Sequence, residues 1–120
     1  MSMIDSLEIR SLGKFLDVSA FRTGLITSNL ANIDTPGYRA RDINFRQELE
    51  RADSSLQLAE FTPAAREVRG LASRPDGNDV SLEREGLLLA ETQLCFQIGV
   101  QVLKMHFHEI ASAINEGSNG

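Results

Sequence analysis

Apolar positions crowd into two blocks, one at each end of the chain. In the first, over residues 6–33, Leu12, Leu16, Ile26, Leu30 and Ile33 recur at alternating steps of four and three, with Ser19 and Thr23 filling the same series. That spacing predicts a helix with a seam along one face. A second series, Leu7, Lys14, Val18, Phe21, Leu25, Ser28 and Asn32, runs beside it. Gly24 weakens this helix by up to about 1 kcal/mol relative to alanine, an amount that tertiary packing can offset. The second block, residues 81–114, opens on Ser81 as a cap, with Glu83 and Glu85 at the positive end of the helix dipole. It predicts a helix of roughly 51 Å at 1.5 Å per residue. Its apolar residues again divide in two, Leu87, Leu94, Ile98, Val102 and Met105 on one stripe and Phe96, Val100, Leu103, Phe107, Ile110 and Ile114 on the other. The glycines of "NEGSNG" stop it.

Between the blocks the period is lost. In "NLANIDTPGYRA" Pro36 ends the first helix, since it lacks an N–H and pushes Thr35 out of the α region. With Pro36 second and Gly37 third, Thr35 to Tyr38 reads as a type II turn. An extended stretch follows, and Asn44 then caps a short helix that ends near Asp53 and sets Phe45, Leu49 and Ala52 on one side. Residues 34–53 are therefore turn, extended stretch and short helix, and residues 54–80 read as a flexible linker. The expected fold is one mainly α domain, its two long terminal helices paired as an antiparallel, coiled-coil-like hairpin around an extended segment and a flexible middle.

Two stripes on each helix are more than a two-helix pair can cover. Each large apolar side chain left in water forgoes about 1.5–3 kcal/mol, while ordering each residue costs about 1–2 kcal/mol of backbone entropy. A lone chain is expected to be marginal and to finish folding against neighbouring subunits.

Composition narrows the function by exclusion. The 120 residues carry 17 acidic and 12 basic side chains, a net charge of −5 with both signs interspersed. A nucleic-acid binder would need a basic stripe, which is missing. No continuous apolar run approaches the ~20 residues of a bilayer span, so no transmembrane segment is expected, and "MSMIDSLEIRSLGKFLDV" lacks the apolar core of a cleaved secretory signal. The chain is expected to be cytosolic or to leave by a route that reads no cleaved signal. Cys95 is the only cysteine and reads as a small hydrophobe in an apolar helix. His106 and His108 point about 200° apart on a helix and so cannot easily share an ion. Glu83, Glu85 and Glu91 read as a helix start and a solvated face, and no glycine loop carries a P-loop lysine. No catalytic residue, metal site or cofactor is expected. Arg39 and Arg41 are expected to pair with Asp34, Asp42 or a neighbouring chain.

"SNLANIDTPGYRARDINF", Ser28 to Phe45, closely resembles the N-terminal signature of the bacterial flagellar rod and hook proteins, in which a helix ending Asn-hydrophobic-Ala-Asn runs into Thr-Pro-Gly-Tyr. "ARDINF" and the short chain are similar to the proximal rod member, and "DGNDVSLEREGLLLAETQLCFQIGVQVL" is similar to the downstream pattern of that family. The resemblance implies a non-enzymatic structural subunit, exported without signal cleavage by the flagellar type III apparatus and polymerising in the periplasm as part of the drive shaft for motility. It implies as partners further copies of the chain, the rod-ring adaptor FliE, the rod protein FlgC and other rod proteins. On that reading Asn29, Asn32, Thr35, Pro36, Gly37, Tyr38, Arg39, Arg41 and Phe45 form a subunit-contact segment. Asn29 and Asn32 would bond backbone at the helix end, and Tyr38 would serve as an aromatic anchor. The rival from a different class is a cytosolic helical-hairpin adaptor or chaperone-like binding module, which should fold cooperatively without polymerising.

Overall fold

The computed structural model describes residues 3–54 and 62–118. Helix α1 spans Met3–Ala31 and α3 spans Leu82–Ser118. Strand β1 (Arg41–Asp42), helix α2 (Phe45–Ser54) and strand β2 (Arg66–Glu67) lie between them in the chain. The helices start where side chains can cap them. The Asn44 carboxamide oxygen accepts from the Gln47 amide at 3.1 Å, and the Ser81 hydroxyl accepts from the Arg84 amide at 3.2 Å. Each satisfies an amide that has no partner inside its own helix. Helix α1 closes two residues earlier than its periodicity suggests. Ile33 and Thr35 donate to carbonyls only three residues back, those of Leu30 and Asn32, the tighter winding with which helices often end.

Helices α1 and α3 form an antiparallel hairpin of constant register. Glu8 lies 3.5 Å from His106 near one end, and Asn29 lies 3.2 Å from Glu85 at the other. Midway, Phe15 and Leu16 press on Gly99, where a Cβ would sit 2.9 Å from Leu16 Cδ2 and 3.0 Å from Phe15 Cδ1. Gly99 thus lets the two helices approach to a distance that any side chain would widen.

The line of contact on α3 runs beside the second apolar stripe and takes in only part of it. It follows Glu85, Thr92 and Gly99, all buried, and half-buried His106, every seventh residue, with Leu88, Leu89, Leu103 and Ile110 half-buried beside them. Leu94, Ile98, Phe96 and Phe107, expected as seam residues, are exposed. The reason is that periodicity counts only apolar residues, whereas here Gly99, which admits Phe15 and Leu16, and the polar Glu85 and His106, which meet Asn29 and Glu8 on α1, also turn inward. On α1, Leu12, Leu16 and Leu30 are half-buried and Ile26 is fully buried.

The buried apolar cluster lies on another side of α1. Val18 packs with Ile43 and Ala52, flanked by Phe21, Leu25, Phe45 and Ala65, and Phe45 meets Phe15 edge to face at 5.5 Å. The molecule measures 71 × 26 × 19 Å with a radius of gyration of 18.7 Å, against about 14 Å for a compact chain of this length.

The linker expectation is narrowed. Residues 55–61 fall outside the described part, but residues 62–80 are tied to the rest. β2 pairs antiparallel with β1, Arg41 opposite Glu67 and Asp42 opposite Arg66. Beyond it, Asn78, Asp79 and Val80 are buried. By length and composition alone, a test that core helices also pass, α3 over Leu82–Gly117 is long and apolar enough to cross a bilayer. Its two stripes, summed without regard to face, reach an average that no single continuous run reaches.

Candidate functional site

The turn after α1 sits at the centre of a polar clasp. Gly37 has φ 75°, and the Tyr38 amide donates to the Thr35 carbonyl at 3.2 Å. These are features of a type II turn, whose third residue needs the positive φ that glycine adopts without strain. Gly77, with φ 86°, backs onto it, and a Cβ there would come 3.4 Å from Gly37 Cα. Two loops therefore meet backbone to backbone, and Gly37 donates its amide to the Asp76 carbonyl at 2.8 Å.

Asn29 is fully buried on the last turn of α1 and uses its whole carboxamide. Its Nδ2 donates to the Arg41 carbonyl at 2.9 Å and to Glu85 Oε2 at 3.2 Å. Its Oδ1 accepts from the Tyr38 hydroxyl and from the Arg41 amide, both at 3.1 Å. One side chain thereby joins α1, the turn, β1 and α3. Asn78, also fully buried, does the same from the other loop. It donates to the Asn32 and Thr35 carbonyls at 2.9 and 2.8 Å and accepts from the Val80 amide at 2.8 Å. Arg74 donates to the Val80 carbonyl at 2.7 Å and to the Ile33 carbonyl. The carbonyls just beyond the end of α1 thus find partners within the chain.

Charge in the clasp is balanced. Arg22 holds Asp42 with two parallel contacts, Nε to Oδ1 at 3.0 Å and Nη2 to Oδ2 at 2.9 Å. Arg84 lies 3.6 Å from the same carboxylate and 3.0 Å from Glu85. Two guanidinium groups therefore serve two carboxylates, with the forked Arg22 pair in the geometry that orients as well as attracts. Asp79 accepts from the Ala40 amide at 2.6 Å and lies 3.5 Å from Arg39, which also donates to Ser73 at 2.7 Å.

Four of the signature residues also make contacts within the chain. Asn29, Asn32, Tyr38 and Phe45 spend their side chains inside the chain. Asn32 donates to the Ser28 carbonyl at 2.8 Å, Tyr38 reaches Asn29 and Ser28, and Phe45 packs on Phe15. Tyr38 is half-buried, its hydroxyl engaged within the chain. Thr35, Pro36, Gly37, Arg39 and Arg41 remain exposed. Arg22, Asp42, Asn78 and Glu85 were missed as clasp members; the available signal was the run "DGNDV" immediately before a capped helix, polar residues that a plain linker has no need to bury. His106 and His108 are not brought together on an ion: His106 meets Glu8 and His108 is exposed. Among the described residues no cluster of three or more His, Cys, Asp or Glu is arranged to hold a metal.

A two-helix hairpin pinned by a rigid, internally bonded turn, with its grease outside, is built to be packed by neighbours. The family model described as "Flagella basal body rod protein" matches residues 22–39, from the Arg22 that holds Asp42 to the Arg39 beside Asp79. The class is that of flagellar rod subunits. The chain is 30% identical to the flagellar basal body rod protein FlgB of Salmonella typhimurium across 97% of its own length and all of that relative's. To the FlgB of Bacillus subtilis it is 26% identical over 91% of this chain and 94% of the relative. To that of Cereibacter sphaeroides it is 34% identical over 78% and 82%. The chain belongs to the FlgB family of flagellar basal body rod proteins. It is a structural subunit of the rod that assembles with other rod proteins, and not an enzyme.

Proposed function

We propose that this subunit polymerises helically with further copies of itself, with the rod-ring adaptor FliE and with the rod protein FlgC, forming the periplasmic drive shaft nearest the membrane ring. It reaches that place through the flagellar type III export apparatus without a cleaved signal. The observation that carries this reading is the apolar surface left open on α3, where Leu87, Leu94, Ile98, Met105, Phe107 and Ile114 are all exposed. Those side chains gain most by packing on neighbouring subunits. The exposed rim of the turn, Thr35, Pro36, Arg39 and Arg41, adds polar contacts at the same assembly.

The experiment is to tag the chain, purify basal bodies, and probe them for the tag and for cross-links to FliE and FlgC. The tag should copurify with rods, and cross-links should form through α3. A tag found only in the cytosol would refute the reading.

A further inference from the structure

The two-stranded ribbon of β1 and β2 has unlike edges. The Val68 amide donates to the Ala40 carbonyl at 3.0 Å, and Asp42 stands opposite Arg66. Hydrogen-bonded and open pairs alternate along an antiparallel ladder. The Arg41–Glu67 pair between them is therefore an open one, and each of its residues turns its backbone N–H and C=O away from the other strand. On the β1 edge Asn29 engages both groups, donating to the Arg41 carbonyl at 2.9 Å and accepting from the Arg41 amide at 3.1 Å. Its carboxamide stands where a third strand would stand. On the β2 edge no described residue engages the outward groups of Glu67, which is exposed.

β2 is also a ridge between two hollows, of about 500 and 490 Å³. Arg39, Leu71 and Asp79 wall one, Asp42, Ile43, Asn44 and Arg84 wall the other, and residues 66–69 line both. The two aspartates are already held, Asp42 by Arg22 and Arg84, and Asp79 by Arg39 and the Ala40 amide. Arg66 donates only to the Gln47 carboxamide, at 2.9 Å, and Arg69 and Glu67 have no ionic partner among the described residues. Glu67 is faced across the ladder by Arg41, and opposite charges so placed offset each other. The surplus at the open edge is thus the positive charge of Arg66 and Arg69, in a chain whose net charge is −5.

We propose that the outer edge of β2 takes up, as a third strand, an extended acidic segment of a neighbouring protein in the rod. The backbone of that segment pairs with the N–H and C=O of Glu67, as chains do when they add to an open sheet edge. Two of its carboxylates about 10 Å apart, the span of three extended residues, meet Arg66 and Arg69. A helix is refused because its backbone groups are spent on itself, and a basic segment because it meets like charges. This contact rests on the reading of the chain as a subunit packed by rod neighbours.

The test uses the full chain with p-benzoylphenylalanine in place of Glu67, irradiated in cells before basal bodies are purified. An adduct should form there, and digestion should map it to an extended segment with two Asp or Glu residues three positions apart. Arg66→Glu with Arg69→Glu in the same background should lower the adduct yield by about tenfold. Glu67→Pro removes the outward N–H but leaves the bonds to β1, which belong to Arg66 and Val68; swimming should fall about fivefold or more, while Glu67→Ala swims normally. The proposal is overturned by the absence of an adduct in basal bodies, by an adduct on a helix or on a segment without carboxylates, by a yield indifferent to the Arg66/Arg69 reversal, or by equal swimming of the Pro and Ala variants. Any of these, with the tagged chain still present in purified basal bodies, leaves the rod reading standing; absence of the unaltered tagged chain from basal bodies is the separate failure of that reading.

Discussion

Replacing Asn29 by alanine takes four hydrogen bonds from the clasp at once. The contact to Glu85 matters most, because that carboxylate is fully buried and, once Asn29 is gone, Arg84 is the partner it retains among the described residues. A buried hydrogen bond to a charged group contributes about 1.5–3 kcal/mol. The bonds with Tyr38 and with the Arg41 backbone are neutral and partly solvated. Tyr38 also keeps the Ser28 hydroxyl at 3.2 Å, so together they add about 1.5 kcal/mol. Alanine returns about 0.5 kcal/mol through its helix propensity. The net loss is about 3 kcal/mol, a large share of the stability of a small domain. With a urea dependence near 1.5 kcal/mol per molar, the midpoint should fall by about 2 M when followed by circular dichroism at fixed protein concentration. Tyr38→Phe removes one of those bonds and should cost about 1 kcal/mol alone but at least about 0.5 kcal/mol less in the Asn29→Ala background. A midpoint shift below about 0.5 M, or strict additivity of the two changes, would refute the clasp as a working network.

Gly99→Val should lower stability by about 1–3 kcal/mol in a urea titration, because its side chain must displace Leu16 and Phe15 from the hairpin seam. An unchanged midpoint would show that the helices do not meet there. Gly37→Ala places a Cβ at φ 75° with open space around it, so its cost of about 1 kcal/mol is backbone strain alone and should appear in thermal melts without loss of helix content. Phe107→Asp lies outside both the clasp and the α1 seam; the free subunit should keep its stability within about 0.5 kcal/mol while rod assembly and swimming fall. Normal swimming would show that Phe107 faces no neighbour.

The parts of the fold legible in the sequence are those set by local rules. The two terminal helices and α2 follow from periodicity and from caps at Asn44 and Ser81, and the stop at Pro36 and Gly37 follows from backbone chemistry. The inward face of α3 was only partly legible: Leu103 and Ile110, expected on the seam, are half-buried there, but the line between them was not foreseen. Its line through Glu85, Thr92, Gly99 and His106 is polar or small at each step, and a count of apolar residues steers away from it. The clasp was half legible. Asn29, Tyr38 and Gly37 stood out, but their partners lie far along the chain: Asn29 meets Glu85 across 56 positions and Asn78 meets Asn32 across 46. No local pattern reports such pairings, and the direction in which Tyr38 points depends on them.

The division of labour between polar and apolar groups inverts that of an ordinary small domain, and this follows from the demands of a shaft. Hydrophobic burial is non-directional and tolerates sliding, whereas a carboxamide with every donor and acceptor engaged accepts one geometry. Asn29, Asn78 and the Arg22–Asp42 fork hold the angle between α1 and the following chain, while Val18, Ile43 and Ala52 supply a small core. The larger apolar residues of α3 are left exposed in the isolated chain, and on the proposed function they are the ones that neighbours cover. Damage should therefore sort by location. Clasp substitutions should appear in the free subunit as lost stability, whereas substitutions on the outward faces of α3 should leave the free chain folded and appear only in assembly. A substitution at Leu94 or Phe107 that unfolded the isolated chain, or one at Asn29 that spared it and blocked only assembly, would show that the polar and apolar groups had been assigned the wrong tasks.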